Sequence, residues 1–421
     1  MKILLVSYSG YGLWFTLRLQ DEGHRVDYYL LDRKYENVLR GIAPEPFFKK
    51  PDFSKYDLVI FDLTGKPALA EQSIKVTPTL GDSNLATTLE DERLFGIEVM
   101  EKVGIKVPPY EVFSDVETAK KFLLETKKRY VFKPNGGQEQ ETASTYVSTS
   151  YEDMLKYIDR LEQMSHGVEF ILQEVVQGVE VSTEAWFNGE EFFLINCTLE
   201  EKKFMEGRKG PNTGCSGNLV WTFEREPQIF KQGLGKIKDF LASSGYVGMI
   251  DLNTIATQSD LYGLEWTPRF GYDASQTLFS LIDSDLGEIF EAVASGGKPN
   301  ISFNNDFAAA VRLSIPPYPN ECEGYYQKEV PIENIEPEDI EHIYLYDAML
   351  ENDETLVTAG LGGFIACPIH AGRSIEEAFA GVKEWIKKIK VPDLQYRQDI
   401  YKCTKDRYEA LSRMGWFRMS N

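Results

Sequence analysis

Residues 261–271 read Leu261-Tyr262-Gly263-Leu264-Glu265-Trp266-Thr267-Pro268-Arg269-Phe270-Gly271, and this stretch decides the fold. Its first seven residues predict a β-strand, and two-residue alternation puts Glu265 and Thr267 on one face of it. Arg269 follows directly, where a cation is placed to neutralise a phosphoryl group in transfer. The stretch therefore predicts a strand end that carries oxygen ligands and a positive charge.

The strand predicted at 247–255 carries a second pair of polar side chains. Asp251 and Asn253 alternate on it in the same way as Glu265 and Thr267 on the later strand. If the two strands are neighbours, these oxygen atoms surround one Mg²⁺ (or Mn²⁺), since such cations take oxygen ligands and bridge phosphates. The alternative is that they are buried polar residues satisfied by hydrogen bonds.

Two features upstream suit a nucleotide. Lys133 ends an apolar strand and opens a glycine-containing loop, where a cation beside backbone N–H groups suits phosphates; a surface lysine is the alternative. Residues 173–180 read Gln173-Glu174-Val175-Val176-Gln177-Gly178-Val179-Glu180. Such a linker can offer backbone groups to an adenine edge, and an acidic residue beyond it can accept from ribose hydroxyls. An ordinary strand–turn–strand is the alternative.

The polar loop predicted at 200–218 concentrates positive charge. Glu201-Lys202-Lys203 precedes Arg208-Lys209-Gly210-Pro211-Asn212-Thr213-Gly214-Cys215-Ser216-Gly217. Its glycines, with Asn212 and Thr213, allow backbone amides to converge on an anion. A solvated charged loop is the alternative.

Composition limits the possible partners. The chain has 421 residues, 45 Lys and Arg against 66 Asp and Glu, and a formal net charge of −21. This charge argues against a nucleic-acid polymer or an anionic membrane as partner. No apolar run approaches the ~20 residues that cross a bilayer. The five scattered cysteines form no CxxC pair, so we expect a cytoplasmic protein with reduced thiols and no zinc site.

The remaining chain predicts an α/β protein. Short apolar runs at 3–6, 26–31 and 56–62 alternate with helical segments, which indicates a parallel sheet. The turn Gly10-Tyr11-Gly12 has no third glycine and is weak evidence for a nicotinamide dinucleotide site. Asn188-Gly189 predicts a hairpin. We further predict helices at 89–104, 151–163, 225–243 and 374–388, with short strands around the last of these.

The order of these features resembles the ATP-grasp superfamily. The loop 210–214 and the strand end 265–271 are similar, more specifically, to glycinamide ribonucleotide synthetase, a family with a GPNTGG loop and an E-x-N-x-R-F-G strand end. The stretches 357–364, 371–378 and 396–400 resemble its C-terminal domain. The resemblance implies an ATP-grasp fold of mixed α/β and α+β class. It divides the chain into a parallel α/β domain (1–105), an ATP-grasp domain (106–302, with a mobile lid at about 115–185) and an α+β domain (303–421).

The resemblance also implies the site. The function implied is an ATP- and Mg²⁺-dependent carboxylate–amine ligase that forms an amide through an acyl phosphate, as in purine biosynthesis, with small-molecule substrates. We expect glycine as donor. The residues expected to act are as follows: for ATP, Lys133, Gln173, Glu174, Val176 and Glu180; for the metal, Glu265, Asn253 and Thr267; for the substrate, Gly210, Pro211, Asn212, Thr213, Gly214 and Asp251; and as catalytic cations, Arg269, Lys203 and Arg208.

Four departures from the family concern its phosphate, metal and acceptor sites. Thr267 stands where the family has a metal-binding asparagine, Tyr272 and Ala274 replace acidic residues, and the phosphate loop is thinned to 135–137. The family's N-terminal turn with an Arg-Glu-His run is replaced by Ser9-Gly10-Tyr11-Gly12-Leu13-Trp14. We therefore expect an altered acceptor pocket, in which Tyr8, Tyr11 and Trp14 stack on the acceptor or belong to the core. A catalytically impaired nucleotide-binding protein and a nicotinamide-dependent oxidoreductase are the alternative functions.

Overall fold

The computed structural model describes residues 1–136, 145–164, 169–271, 273–320, 327–352 and 354–419. The chain begins with a parallel α/β layer, as the sequence predicts. Its elements are β1 (Lys2–Ser7), α1 (Leu13–Asp21), β2 (Arg25–Leu30), β3 (Pro46–Phe47), β4 (Leu58–Phe61), α2 (Pro67–Ile74), β5 (Thr79–Leu80), α3 (Asn84–Asp91) and α4 (Arg93–Lys102). The strand order is β3-β2-β1-β4-β5. The central strands β1 and β4 are almost fully buried, which explains their unbroken apolar runs.

The helix predicted at 89–104 is two helices, α3 and α4, and the prediction of one continuous helix is wrong. Glu92 joins them with φ −97° and ψ 86°, outside the helical region. The break places Arg93 at the first position of α4, where its Nε donates to the carbonyl of Pro134 at 2.9 Å.

A small antiparallel sheet follows, with a core of its own. Its elements are β6 (Tyr110–Phe113), α5 (Val116–Thr126), β7 (Tyr130–Pro134), β8 (Tyr146–Val147), α6 (Tyr151–Met164) and β9 (Phe170–Glu174). The order is β6-β9-β7-β8, and Phe113, Phe132 and Phe170 pack together under the two helices. A separate core is what a lid needs, and its mobility stays a prediction. Gly137, in the thinned phosphate loop, lies outside the described residues.

The large central sheet starts with the predicted hairpin. Its elements are β10 (Val179–Phe187), β11 (Phe192–Glu200), β12 (Lys203–Met205), β13 (Lys209–Asn212), β14 (Gly217–Thr222), α7 (Gln228–Gln232), α8 (Lys238–Ser244), β15 (Gly248–Ala256), β16 (Leu261–Thr267), α9 (Ala274–Phe279) and α10 (Leu286–Ala294). Gly189 has φ +98°, which confirms the turn at Asn188-Gly189. The loop predicted at 200–218 contains the two-stranded ribbon β12–β13.

The helix predicted at 225–243 is also interrupted. Gly233, with φ −112° and ψ −111°, separates α7 from a short 3-10 helix and α8. A Cβ on Gly233 would lie 2.9 Å from Leu261, so close packing against β16 requires the glycine that breaks the helix.

The last part of the chain extends the central sheet. Its elements are β17 (Phe307–Val311), β18 (Leu313–Ser314), β19 (Ile343–Leu345), β20 (Met349–Glu351), β21 (Thr355–Val357), β22 (Phe364–Gly372), α11 (Ile375–Lys388) and α12 (Ile400–Met414). The order is β16-β15-β10-β11-β14-β17-β22-β18, with β19 on β22. The sheet therefore continues across the boundary predicted at residue 303. The sequence analysis found α11 and missed α12.

The two faces of the central sheet differ. One face is apolar and packs against α11 and α12 through Leu199, Leu219 and Trp221. The opposite face carries Glu184 and Asp251, both buried. Among the described residues, no helix is long and apolar enough to cross a membrane.

Candidate active site

A bulge in β16 turns Glu265 toward the polar face. Asn253 pairs with Glu265 and Thr254 with Gly263, so Leu264 is an extra residue in the ladder. The bulge reverses the alternation of the strand. Leu261 and Trp266 both enter apolar clusters, whereas Glu265 and Thr267 stay on the polar face with their partners Asn253 and Asp251.

Three cations surround the Glu265 carboxylate. An Arg93 guanidinium nitrogen lies 3.6 Å from it, and Lys202 and Lys133 act on it through their charges. Burial alone raises the pKa of Glu265, but these positive charges outweigh burial and bring the pKa to about 2. The carboxylate is therefore ionised at any physiological pH and can hold a divalent cation.

Lys133 is the next-to-last residue of β7 and is buried. Burial lowers the pKa of its ammonium to about 8, and the charge of Glu265 only partly offsets this effect. A phosphate bound nearby would favour the charged ammonium of Lys133 and raise its pKa again.

The basic loop places Lys202, rather than Lys203 or Arg208, beside these groups. The Lys202 ammonium lies 2.9 Å from a Glu180 carboxylate oxygen, and Glu180 with Glu265 raises the pKa of Lys202. Lys203 instead donates to the Gly210 carbonyl at 3.2 Å. The alternation that starts at β12 separates the two lysines, and nothing in a predicted loop shows which of them faces inward.

Arg208 belongs to a structural cluster around Glu201. The Glu201 carboxylate, 3% exposed, is paired with Arg208 at 2.9 Å, Arg407 at 3.0 Å and Arg397 at 3.3 Å. Arg407 and Arg397 come from α12 and the segment before it. The cluster anchors the ribbon β12–β13 to the end of the chain.

The linker after β9 has the features of an adenine pocket. The Nε2 of Gln173 is buried and has no hydrogen-bond partner among the described residues. An adenine edge supplies such a partner, so the residues fit a nucleotide. Glu174 directs its carboxylate to Lys128 at 2.5 Å, which leaves only backbone groups of Glu174 and Val176 for a base. The Glu174 N–H already donates to Pro109 at 2.8 Å.

Behind the metal position the polar face is acidic. Burial raises the pKa of Asp251 well above its ordinary value, and the neighbouring charges of Glu184 and Glu200 raise it further. Burial also raises the pKa of Glu184 to about 7, against hydrogen bonds from Trp186 and Asn196. These groups lack a cation of their own in contact, among the described residues, so a positively charged ligand group would stabilise them.

The predicted substrate loop is held at its far end. Thr213 donates to the Lys202 carbonyl through both N–H, at 2.7 Å, and hydroxyl, at 3.0 Å. Gly210, Pro211 and Asn212 lie exposed on β13, and a Cβ on Gly214 would lie 3.8 Å from the Arg312 guanidinium. Arg312 is buried on Asp273 and was not found from the sequence. The strand prediction alone gave no reason to connect it with a loop about a hundred residues earlier.

Arg269 turns toward the N-terminal layer. Its Nε donates to Glu90 at 2.8 Å, and Glu90 also accepts from Thr64 at 2.6 Å. Burial raises the pKa of Asp62 to about 6, and the charge of Arg269 offsets a small part of this rise.

The three aromatic residues of the N-terminal turn have different surroundings. Trp14 belongs to the core, whereas Tyr8 is 43% exposed. Tyr11 stacks on Tyr346 with ring centroids 4.4 Å apart. The core alternative is therefore correct for Trp14.

Comparison with known proteins agrees with this geometry. Residues 92–273 match the family model of the phosphoribosylglycinamide synthetase ATP-grasp (A) domain. The phosphoribosylamine–glycine ligase of Streptococcus pneumoniae is 26% identical over 387 residues, which cover 86% of this chain and 88% of that protein. The same enzyme of Halalkalibacterium halodurans is 24% identical over 340 residues, 78% of this chain and 77% of that one.

Solved structures share the fold. The phosphoribosylamine–glycine ligase of Thermotoga maritima superposes with a TM-score of 0.73 at 20% identity, covering 95% of this chain and all of that one. A biotin carboxylase domain of Hydrogenobacter thermophilus, solved with MgADP and bicarbonate, has a TM-score of 0.65 at 13% identity, covering 100% and 99%. The chain thus has the ATP-grasp fold, and it resembles phosphoribosylamine–glycine ligase in sequence and structure.

Proposed function

We propose that the chain activates the carboxylate of a small amino acid, glycine first, with ATP and joins it to an amine. The observation that carries this proposal is the convergence of Arg93, Lys133 and Lys202 on Glu265. Three cations and an ionised carboxylate at one strand end fit a magnesium-bound polyphosphate. The similar proteins are phosphoribosylamine–glycine ligases, which supports glycine and phosphoribosylamine as the substrates to test first.

Each part of the site has a proposed task. Gln173 and the backbone at Glu174 and Val176 hold adenine, and Glu180 holds ribose. Lys133 and Lys202 contact phosphates, and Glu265 holds the metal. Asn253, directly opposite Glu265, supplies an amide oxygen to the metal. Thr267 cannot do so because its side chain has no amide. ATP with its metal supplies an electrophilic phosphorus when bound.

The buried acidic residues of the polar face support an amino acid as donor. Asp251, Glu184 and Glu200 stabilise an α-ammonium group, while the Gly214 end of the loop, beside Arg312, orients the carboxylate. The donor oxygen attacks the γ-phosphorus and ADP leaves. The amine nitrogen then attacks the acyl carbon, the carbon–oxygen bond to phosphate breaks, and the nitrogen loses a proton. Arg269 and the lysines neutralise the charge that develops on the transferred group.

We also propose a division into domains, a class of substrate and a location. The division at residues 105 and 302 assigns ATP binding to the middle of the chain, with the β6–β9 sheet as its lid. The substrates are small molecules. The location is the cytoplasm, where ATP is available.

The test is ADP release with ATP, Mg²⁺ and a panel of small carboxylates, trapped by saturating hydroxylamine. We expect ADP and a hydroxamate in equal amounts, with glycine the best donor. ATP binding without carboxylate-dependent ADP release would favour the catalytically impaired alternative, for which the threonine at 267 is the specific argument.

A further inference from the structure

The N-terminal end of α1 already holds an anion, and this anion is part of the protein. α1 has nine residues, and Gly12, the residue before its first turn, donates its N–H to Asp62 Oδ2 at 2.8 Å. The same oxygen accepts from Ser7 Oγ at 2.6 Å, and Ser7 Oγ accepts from the Gly10 N–H at 2.7 Å. A helix N-terminus of this kind attracts phosphates because of its free N–H groups and its dipole.

Asp62 therefore takes the place that a phosphate would occupy. It follows β4 and is 2% exposed. A Cβ on Gly12 would lie 2.8 Å from the Asp62 Cβ, so glycine is needed for the carboxylate to approach the turn. The N–H groups of Gly10 and Gly12 are both used internally. A ligand phosphate would meet a buried carboxylate rather than donors.

The hydrogen bonds from Ser7 and Gly12 both go to Asp62 Oδ2, and neither goes to the second oxygen, Oδ1. Asp62 Oδ1 is buried without a hydrogen-bond partner among the described residues, and the same holds for Gln276 Oε1. Both side chains line one small cleft, with Tyr11, Phe15, Phe270 and Ser275. Two buried acceptors without donors call for a group that donates, an ordered water or a ligand, since a buried acceptor left without a partner costs about 1–3 kcal/mol.

The cleft lies between the turn of α1 and the segment that follows Arg269. Phe270 and Gly271 continue the strand end beyond Arg269, and the opposite wall is the turn of α1. Tyr11 is held by stacking on Tyr346 of the C-terminal part. Ser275 and Tyr11 add polar groups to walls that are otherwise apolar, and Arg269, whose charge acts on Asp62, is held by Glu90.

We propose that this cleft binds the amino end of the acceptor through Asp62 and Gln276, and that the acceptor is a small amine without a phosphate. This inference rests on the proposed function and specifies its second substrate. An amino group donates to both oxygens, and a protonated one also offsets the carboxylate charge. Phosphoribosylamine, the substrate in the relatives' name, does not meet this description.

The first experiment compares acceptors at saturating ATP, Mg²⁺ and glycine. Freshly generated phosphoribosylamine is run beside ribosylamine, ethanolamine and methylamine. We expect a non-phosphorylated amine to have the higher kcat/KM. Faster turnover of phosphoribosylamine than of ribosylamine overturns the proposal.

The second experiment uses Asp62→Asn with a matched control. The asparagine oxygen can keep the bonds from Ser7 and Gly12, while its NH₂ group replaces the free acceptor by a donor. The control is Asp82→Asn: Asp82 is also buried in the N-terminal layer, but its oxygens are occupied by Thr87 Oγ1 at 2.8 Å and the Lys66 N–H at 2.6 Å.

For Asp62→Asn we expect kcat/KM for the preferred amine to fall at least tenfold, as for a lost charge-assisted hydrogen bond. Asp62→Asn should bind MgATP with the wild-type Kd, which reports an intact nucleotide cleft, and Asp82→Asn should behave like wild type in both measurements. An unchanged kcat/KM for the amine contradicts the proposal. If Asp62→Asn fails to fold, Gln276→Met makes the same test by removing the other acceptor.

Failure of the proposed function has a different signature. A wild-type protein that forms no hydroxamate from any carboxylate refutes the ligase proposal and leaves the cleft to be tested by binding alone. Ligand-observed NMR with ethanolamine should then show binding to wild type and to Asp82→Asn but not to Asp62→Asn. Equal binding to all three proteins overturns the assignment of the cleft.

Discussion

Glu265 and Asp62 are both carboxylates at strand ends, one facing the nucleotide cleft and the other the acceptor cleft. Lys202, Lys133 and Arg93 outweigh burial at Glu265 and bring its pKa to about 2. Burial dominates at Asp62 and raises its pKa to about 6, against hydrogen bonds from Ser7 and Gly12. The nucleotide cleft is thus arranged to bind anions through a metal and cations, whereas the acceptor cleft is arranged to bind donors.

The nucleotide cleft and the acceptor cleft draw on different parts of the chain. The family model matches residues 92–273, which include Glu265, Lys133 and Lys202 but not the turn of α1 or Asp62. The proposed phosphoryl transfer is therefore compatible with an acceptor that differs from phosphoribosylamine. The predictions below test the nucleotide cleft and the acceptor cleft separately.

The largest effect is expected for Glu265→Gln. The metal loses a charged ligand while the fold keeps its shape, so hydroxamate formation should fall by about 10²–10³-fold. The measurement is kcat with glycine and hydroxylamine at limiting Mg²⁺. Glu191→Gln is the matched control, because Glu191 makes only an outer ion pair with Lys298 at 2.9 Å. If Glu265→Gln turns over at the wild-type rate, the metal is not held at this position.

The next effect separates two adjacent lysines. Lys202→Met should raise the Kd of MgATP by about 10–100-fold, the loss of one charge-assisted contact in a cleft. Lys203→Met should change it by less than about threefold, because Lys203 donates to the Gly210 carbonyl instead. Calorimetric titration of both variants checks this. Equal losses would restore the sequence-based assignment of Lys203.

A pH dependence is expected in the nucleotide cleft. Lys133, with Glu265, Glu180, Arg93 and Lys202 around it, has a pKa of about 8 in the free protein, so it is charged below that pH and neutral above it. A bound phosphate raises this pKa. ATP affinity should therefore fall as the pH rises above about 8, by at most about tenfold per unit. Kd values from pH 7 to 9 measure the slope, and Lys133→Met should abolish it.

Ligand linkage gives a smaller effect. MgATP at about 100 times its Kd should raise the free energy of unfolding by about 2.7 kcal/mol, because it binds the native state only. Thermal or urea unfolding with and without MgATP checks this. Asp62→Asn should keep the full increment, since it changes the other cleft; loss of the increment in this variant would mean that the two clefts are not independent.

The smallest effect is expected for Arg208→Ala. Its side chain is 52% exposed, and Glu201 keeps Arg397 and Arg407, so the free energy of unfolding should change by at most about 1 kcal/mol. Turnover should stay near wild type. A large loss of turnover without loss of stability would return Arg208 to the catalytic cations.

The sequence predicted what depends on short-range patterns. The parallel N-terminal layer, the hairpin at Asn188-Gly189 and the pairing of the strands that carry Asn253 and Glu265 follow from apolar runs, turn residues and alternation. The fold class was therefore predicted correctly. The ligase class was implied by the resemblance of the loop 210–214 and the strand end 265–271.

The rest depends on contacts between distant segments. Arg93 approaches Glu265 only because the helix predicted at 89–104 breaks at Glu92. The bulge at Leu264 sets which face of β16 meets the site, and strict alternation does not show it. The bond from Gly12 to Asp62 spans 50 residues, so the closed anion site at α1 could not be predicted from the turn alone.

We infer that a donor carboxylate is phosphorylated between the nucleotide cleft and the acceptor cleft. The most direct measurement uses glycine labelled with ¹⁸O in its carboxylate, ATP, Mg²⁺ and the preferred amine. Mass analysis of the released phosphate should show one ¹⁸O atom per phosphate, because the acyl–oxygen bond breaks when the amine attacks. Phosphate without label, released at the same rate with and without glycine, would contradict the account.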